Sequence, residues 1–146
     1  MNRSLLDVNV LLALLWPPHE DHIAAQTWFA KSGRRAWATS PITQLGVMRL
    51  LTNSSVTRGA VSAATAIEVV AEAMQHEGHE FWPLQSQLTA GLRSISGKLL
   101  GHRQWTDAVL LLQAVERSGT FVTFDSGVAQ LAGRELKDHL LLLKRG

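Results

Sequence analysis

Ser4-Leu5-Leu6-Asp7-Val8-Asn9-Val10-Leu11-Leu12-Ala13-Leu14-Leu15 is the stretch on which the fold turns. Ser4 to Leu6 reads as a short buried strand ending at Asp7, and Val8 to Leu15 has room for a short helix before Pro17-Pro18 stops it. A strand that leads straight into helices points to an α/β chain, and the residue at the junction is a carboxylate. An unpaired buried charge costs several kcal/mol and is avoided in cores. Asp7 is therefore a candidate for chemistry rather than packing. Two more aspartates stand at what read as element edges: Asp107 in Trp105-Thr106-Asp107-Ala108, and Asp125 in Val122-Thr123-Phe124-Asp125-Ser126-Gly127.

Working outward, His19 to Lys31 carries Ile23, Trp28 and Phe29 on one helical side, and Ala36 to Ala38 is a second strand candidate. Ser40-Pro41 supplies a helix cap followed by proline in the first turn, opening a helix from Ile42 to about Leu51 with Leu45, Met48 and Leu51 at helical spacing. Ser62 to Glu77 is a long helical pattern with Ile67, Val70, Ala71 and Met74 on one face and Gly78 as terminator. Phe81-Trp82-Pro83 reads as a third strand, Ser86 to Ser94 as a shorter helix, and Ser96 to Gln104 as a polar, mobile loop. Thr106 is positioned to cap a helix over Asp107 to Arg117, closed by Gly119. A strand over Thr120 to Phe124, a helical turn over Val128 to Ala132 and a last strand over Leu140 to Leu143 complete the pattern. Such alternation predicts a parallel sheet covered on both faces, with ligands bound beyond the carboxyl ends of the strands. Asp7 and Asp125 then share that edge, and Asp107 sits in a first helical turn, where the helix dipole favours negative charge.

Residues 1–146 fit one domain, with no linker, repeat or low-complexity tract. Cysteine is absent, which excludes disulfides, zinc thiolate sites and thiol nucleophiles. Arg3 with the apolar stretch behind it loosely resembles a signal peptide, but Asp7 and Asn9 interrupt it and no small-residue cleavage site follows. The uninterrupted run Val10 to Trp16 is far shorter than the roughly 20 residues a bilayer needs. The expectation is a cytoplasmic protein with no membrane association. The formal charge of +2 decides little, but Lys31, Arg34 and Arg35 cluster, as do Lys98, His102 and Arg103, with Arg49 and Arg58 between. Basic groups around an acidic centre suit a polyanion that is held and then attacked; solvated surface charge explains each of them singly as well.

Leu5-Leu6-Asp7-Val8-Asn9-Val10-Leu11-Leu12, Ser40-Pro41-Ile42-Thr43-Gln44-Leu45-Gly46, Thr106-Asp107-Ala108 and Val122-Thr123-Phe124-Asp125 stand in the order found in PIN-domain ribonucleases. Over nearly its whole length the chain resembles the VapC toxins of bacterial toxin–antitoxin pairs. The resemblance implies a PIN-like three-layer fold, with a central, mainly parallel sheet of four to five strands flanked by helices. It also implies an endoribonuclease whose acidic residues hold magnesium or manganese, a small antitoxin partner, a homodimer, and structured RNA such as tRNA or rRNA as substrate. The residues support that chemistry directly, since magnesium prefers oxygen ligands and keeps several waters, so a few carboxylates and a substrate phosphate suffice.

Asp7 and Asp107 are the candidate direct metal ligands, with Asp125 as a direct or water-mediated third. Asn9 and Thr123 are candidates for orienting them by hydrogen bonds, and Thr106 either shares that part or is a plain helix cap. PIN domains usually carry a glutamate in the helix after the second strand; the matching segment here has Gln44, whose neutral oxygen can ligate but adds no charge. Weaker metal affinity, with manganese favoured, is the expectation. Arg49, Arg103 and Trp105 are candidate RNA contacts, Trp105 because it adjoins Asp107 after the polar loop and can stack on a base. His19 and His22, at i and i+3, could share a metal; with no third ligand nearby, capping and packing beside the proline turn is the simpler account. Two rival readings remain: a PIN-fold RNA-binding protein weakened in catalysis, for which Gln44 is the motive, and a magnesium-binding receiver or phosphotransfer-like α/β domain, which lacks its paired acids and late lysine here.

Overall fold

The computed structural model describes residues 2–84 and 87–146. Five strands among them form one all-parallel sheet in the order β3-β2-β1-β4-β5: β1 (Ser4–Leu6), β2 (Trp37–Thr39), β3 (His79–Phe81), β4 (Thr120–Thr123) and β5 (Leu140–Leu142). The central strand β1 pairs with β2 through Leu5 and Ala38 and with β4 through Leu6 and Val122. Successive strand residues point to opposite faces, and the cores divide accordingly. Leu6, Trp37 and Val122 pack on one face against Val10, Val47, Leu51, Ala66 and Val70, while Leu5, Ala38 and Phe121 pack on the other against Leu110, Leu111, Ala114, Val128 and Leu131. The result is the expected three-layer α/β arrangement.

The first layer holds α1 (Val8–Leu15), α2 (His22–Lys31), α3 (Pro41–Leu51), the short α4 (Ser54–Thr57) and α5 (Ala63–Met74); the second holds α6 (Leu88–Arg93), α7 (Trp105–Glu116) and α8 (Gly127–Ala132). No helix among the described residues is long and apolar enough to cross a membrane. Ser40 caps α3, accepting from the Ile42 amide at 3.2 Å, and Ser62 caps α5 through the Thr65 amide at 3.1 Å.

Several boundaries differ from the sequence expectation for identifiable reasons. Helix α2 begins at His22 rather than His19, because the chain after the prolines is spent in turns that bond the His19 amide to Trp16 O and the Asp21 amide to His19 Nδ1. Helix α5 ends at Met74, and its buried face is Ala66 and Val70; Ile67 and Ala71 point outward, as do Ile23 on α2 and Leu45 on α3. Helix α4, capped by Asn53, escaped the sequence reading. Strand β3 runs over His79–Phe81 instead of Phe81 to Pro83, since Gly78 lets the chain enter the sheet against Arg34; a Cβ at Gly78 would lie 2.0 Å from the Arg34 carbonyl oxygen. The expected start of α6 at Ser86 falls outside the described residues. The segment read as a mobile loop contains two 3-10 turns, Ser96–Lys98 and His102–Gln104, tied down by buried Ile95 and by a Lys98–Glu135 ion pair.

Strand order places the switch in chain direction between β1 and β4: β2 and β3 lie on one side of β1, β4 and β5 on the other. Crevices at the carboxyl ends of strands at such a point are where open α/β sheets bind ligands.

Candidate functional site

Asp7 follows β1 at that switch point, and the sheet itself fixes it, because its amide continues the ladder to Val122 O at 2.9 Å. It also caps α1: Oδ1 accepts from the Val8 amide at 2.7 Å, while Oδ2 accepts from the Thr123 hydroxyl at 2.6 Å. At 5% exposure, the carboxyl is nearly buried with one partner on each oxygen.

Thr123, the last residue of β4 and fully buried, is the hub of the site. Besides donating to Asp7, its Oγ1 accepts from Asn9 Nδ2 at 3.2 Å and from the Asp125 amide at 3.0 Å. One donor and two acceptor positions are all a hydroxyl has, and each is used. Asn9 completes the frame by accepting from the Phe124 amide on Oδ1 at 3.2 Å. These two residues therefore tie the ends of β1 and β4 together around Asp7. Asp125 is exposed just beyond β4, and its Oδ1 accepts from the Gly127 amide at 2.8 Å.

Asp107 reaches the same place from α7. Because α7 runs back across the sheet before entering β4, its first turn lies at the carboxyl edge. Asp7, Asn9, Thr106, Asp107, Asp125, Arg103 and His19 all line one open cavity of about 510 Å³, with Val8, Leu12, Leu50 and Val56 as its apolar wall. Burial, then the charges of Asp7 and Asp125, push the Asp107 carboxyl up to about 7. Asp7 is also raised, chiefly by burial and further by Asp125, against the lowering effect of its bonds from Thr123 and Val8. Burial beside like charges disfavours the ionised form of each.

The three carboxyls bring oxygens, a donor set suited to a hard divalent cation. As they stand, no three His, Cys, Asp or Glu side chains among the described residues are arranged to hold a metal ion. Asp7 has both oxygens engaged, so a cation would draw on Asp107 and Asp125 and on one shared Asp7 oxygen.

Placement separates the other candidates, Thr106, Gln44, Arg49 and Trp105. Thr106 is not a cap: α7 starts at Trp105, Gln104 holds the cap position without a side-chain bond, and Thr106 lies within the first turn, facing the cavity. Gln44 does not line the cavity; its Nε2 donates to Thr39 Oγ1 at 3.0 Å and to Met74 Sδ at 3.1 Å. The reason is helical phase. Thr43 and Val47 face inward, with Thr43 Oγ1 donating to Leu6 O at 2.9 Å, and the neighbouring stripe that meets α1 and the cavity is Gly46 and Leu50. Gln44 lies on the opposite flank, toward α5. Arg49, exposed in the last turn of α3, does not line the cavity either, nor does Trp105, which is 51% exposed beside it. Arg103 does line it.

His22 is structural, its Nδ1 donating to Ala13 O at 2.6 Å. His19 was read in the same way, and its Nδ1 does accept from the Asp21 amide at 3.0 Å, but the ring is also part of the cavity wall.

The PIN domain family model matches residues 4–134. Ribonuclease VapC39 of Mycobacterium tuberculosis is 40% identical over 137 residues, which is 94% of this chain and 99% of that protein. The crystal structure of Mycobacterium tuberculosis VapC20, described as a sarcin-ricin loop cleaving toxin, aligns with a TM-score of 0.65 at 15% identity, covering 84% of this chain and 90% of that one. The crystal structure of VapBC2 from Rickettsia felis, bound to a DNA fragment from its promoter, aligns with a TM-score of 0.58 at 14% identity and covers 97% and 98%. The two structures bear on the fold alone, but the family model and the relative at 40% identity span nearly the whole chain. With its sheet order and the aspartates at its switch point, this chain belongs to the PIN-domain family, in the branch of the VapC ribonucleases.

Proposed function

We propose that the chain is a divalent-cation-dependent endoribonuclease that serves as the toxin of a toxin–antitoxin pair and cleaves structured RNA, tRNA or rRNA. The observation that carries this reading is the meeting of Asp7, Asp107 and Asp125 in one cavity at the strand switch point, where burial and then the neighbouring carboxylates raise two of the three carboxyls. Magnesium or manganese held by these oxygens would supply positive charge to the scissile phosphate and assist ionisation of the attacking water.

The chain's own residues do the rest. Thr123 and Asn9 keep Asp7 in one orientation, so no reorganisation is needed when substrate arrives. Arg103 brings a fixed positive charge to the acidic centre and suits an RNA phosphate. Gln44 no longer counts as a motive for a non-catalytic reading, since its side chain is engaged away from the cavity. The antitoxin part is supported by likeness to VapC proteins and by an apolar groove of about 760 Å³ along α1, α2 and α5, walled by Leu14, Leu15, Phe29 and Val69. A homodimer and a cytoplasmic setting are part of the same reading.

The test is cleavage of bulk tRNA and rRNA by the purified protein with magnesium, manganese or EDTA, with end mapping of products from wild type and Asp107→Asn. Defined cuts that need a cation and fall at least about a hundredfold in Asp107→Asn are expected. Cleavage that persists in EDTA, or an Asp107→Asn variant as active as wild type, sinks the proposal.

A further inference from the structure

The cavity has one occupant that the acidic chemistry does not use. His19 enters it from the turn after α1, whereas Asp7 enters from the residue before that helix; eleven residues separate the two along the chain, eight of them the helix itself, whose length is about 12 Å. The His19 ring is fixed. Its Nδ1 accepts from the Asp21 amide at 3.0 Å. Asp21 is in turn anchored at both ends, its Oδ2 accepting from Arg145 Nη1 at 2.7 Å and its carbonyl from the Ala25 amide at 2.9 Å. A ring whose Nδ1 is an acceptor carries its hydrogen on Nε2, the nitrogen left for the cavity. Among the lining residues, His19 and Arg103 are the long nitrogen donors beside three carboxylates.

Resting on the reading of this cavity as an RNA site, we propose that His19 is a substrate-contacting residue whose Nε2–H donates to a backbone phosphate oxygen flanking the phosphate addressed by the aspartates. The role is that of a neutral donor, not a general base, because the available nitrogen already bears the hydrogen. Nor is His19 set up as a metal ligand, since a free Nε2 lone pair would put the hydrogen on Nδ1, against the Asp21 amide from which Nδ1 accepts. Arg103 supplies charge and His19 supplies position, from two different elements that line the one cavity.

The difference between a neutral donor and a cation can be measured. Bulk tRNA is the probe, bound in EDTA at pH 8 so that affinity is read without cleavage. His19→Ala is expected to weaken binding about tenfold or more, as loss of a hydrogen bond to a charged group does, at every salt concentration and with the salt slope unchanged. His19→Gln, whose Nε2 amide replaces the lost donor, restores most of the affinity. Arg103→Ala lowers the salt slope by about one, the signature of a charged phosphate contact. Long-range nitrogen–proton NMR of the His19 ring should show the Nε2–H tautomer, with the Nε2 signal moving when tRNA is added.

The inference fails if His19→Ala binds and cleaves like wild type, if the ring is found as the Nδ1–H tautomer, or if His19→Gln is no better than His19→Ala. A wild type that cleaves RNA alongside an unaffected His19→Ala overturns this inference alone. A wild type that binds tRNA through His19 but never cleaves it overturns the endonuclease reading and leaves the contact standing.

Discussion

Thr123 concentrates the organisation of the site in a single hydroxyl, which donates to Asp7 and accepts from Asn9 and from the Asp125 amide. Thr123→Val keeps the shape of the side chain and removes all three bonds, leaving a buried carboxylate oxygen without its partner. The expected cost is about 1–3 kcal/mol in urea unfolding, with at least a tenfold loss of RNA cleavage; Thr123→Ser, which restores the hydroxyl, recovers much of both. A Thr123→Val protein as stable and as active as wild type excludes the orienting role. At this scale the aspartates were legible in the sequence because a carboxylate ending an apolar run is chemically out of place. Thr123 and Asn9 were legible only through their neighbours. Gln44 was misplaced because one helical residue is a turn of about 100°, and nothing in the sequence of α3 says which stripe meets α1. For His19 the sequence favours capping and packing beside the two prolines, and nothing in it points the ring at the cavity it lines.

The elements that position the site meet where α1 crosses α3, and the crossing is close because of Gly46. A Cβ there would lie 2.6 Å from Val8 Cγ2, and the Val8 amide is the one that Asp7 Oδ1 accepts at 2.7 Å. Gly46→Ala therefore pushes on the first residue of α1. It should destabilise by about 1–3 kcal/mol, the usual cost of overpacking, and lower cleavage beyond what lost folding explains, because the displaced residue adjoins Asp7. Gly97→Ala is the matched control: open space surrounds that position, so its change in stability should stay within about 0.5 kcal/mol, with activity intact. Thermal melts and cleavage rates of the two variants decide the matter, and equal behaviour refutes the packing argument. Helix α1 was read from the sequence with its true bounds, since a charged cap and two prolines bracket it. Ile23, Leu45 and Ile67 stand in apolar stripes yet are exposed, because apolar spacing marks a stripe without saying whether a neighbouring helix covers it. Strand β3 was misjudged because its register depends on the passage of Gly78 against Arg34, a contact between distant parts of the chain.

For the whole molecule, placing three acids at one edge of the sheet ties stability to pH and to cations. The Asp107 carboxyl is raised from 3.8 to about 7, and Asp7 is raised with it. Between these values the folded chain keeps a proton that the unfolded chain has released. The Asp107 contribution to stability is thus complete below about pH 4 and is lost as pH climbs toward about 7. His79 runs the other way: burial lowers it from 6.5, so the folded state sheds its proton first and gains stability as pH rises through the upper part of the same window. Total stability mixes the two, and the difference between wild type and Asp107→Asn isolates the carboxyl. In EDTA, wild type should lose stability relative to Asp107→Asn between about pH 4 and pH 7, with the two curves parallel above that. A divalent cation reverses the trend, because it binds the ionised carboxyls and must displace the proton to do so. Manganese at a fixed millimolar concentration should therefore raise the wild-type melting temperature more at pH 8 than at pH 5, and leave Asp107→Asn nearly unmoved at both. Equal cation-induced shifts at the two pH values, or the same shift in Asp107→Asn, would show that the ion binds elsewhere and that the carboxyls at the switch point are not its site.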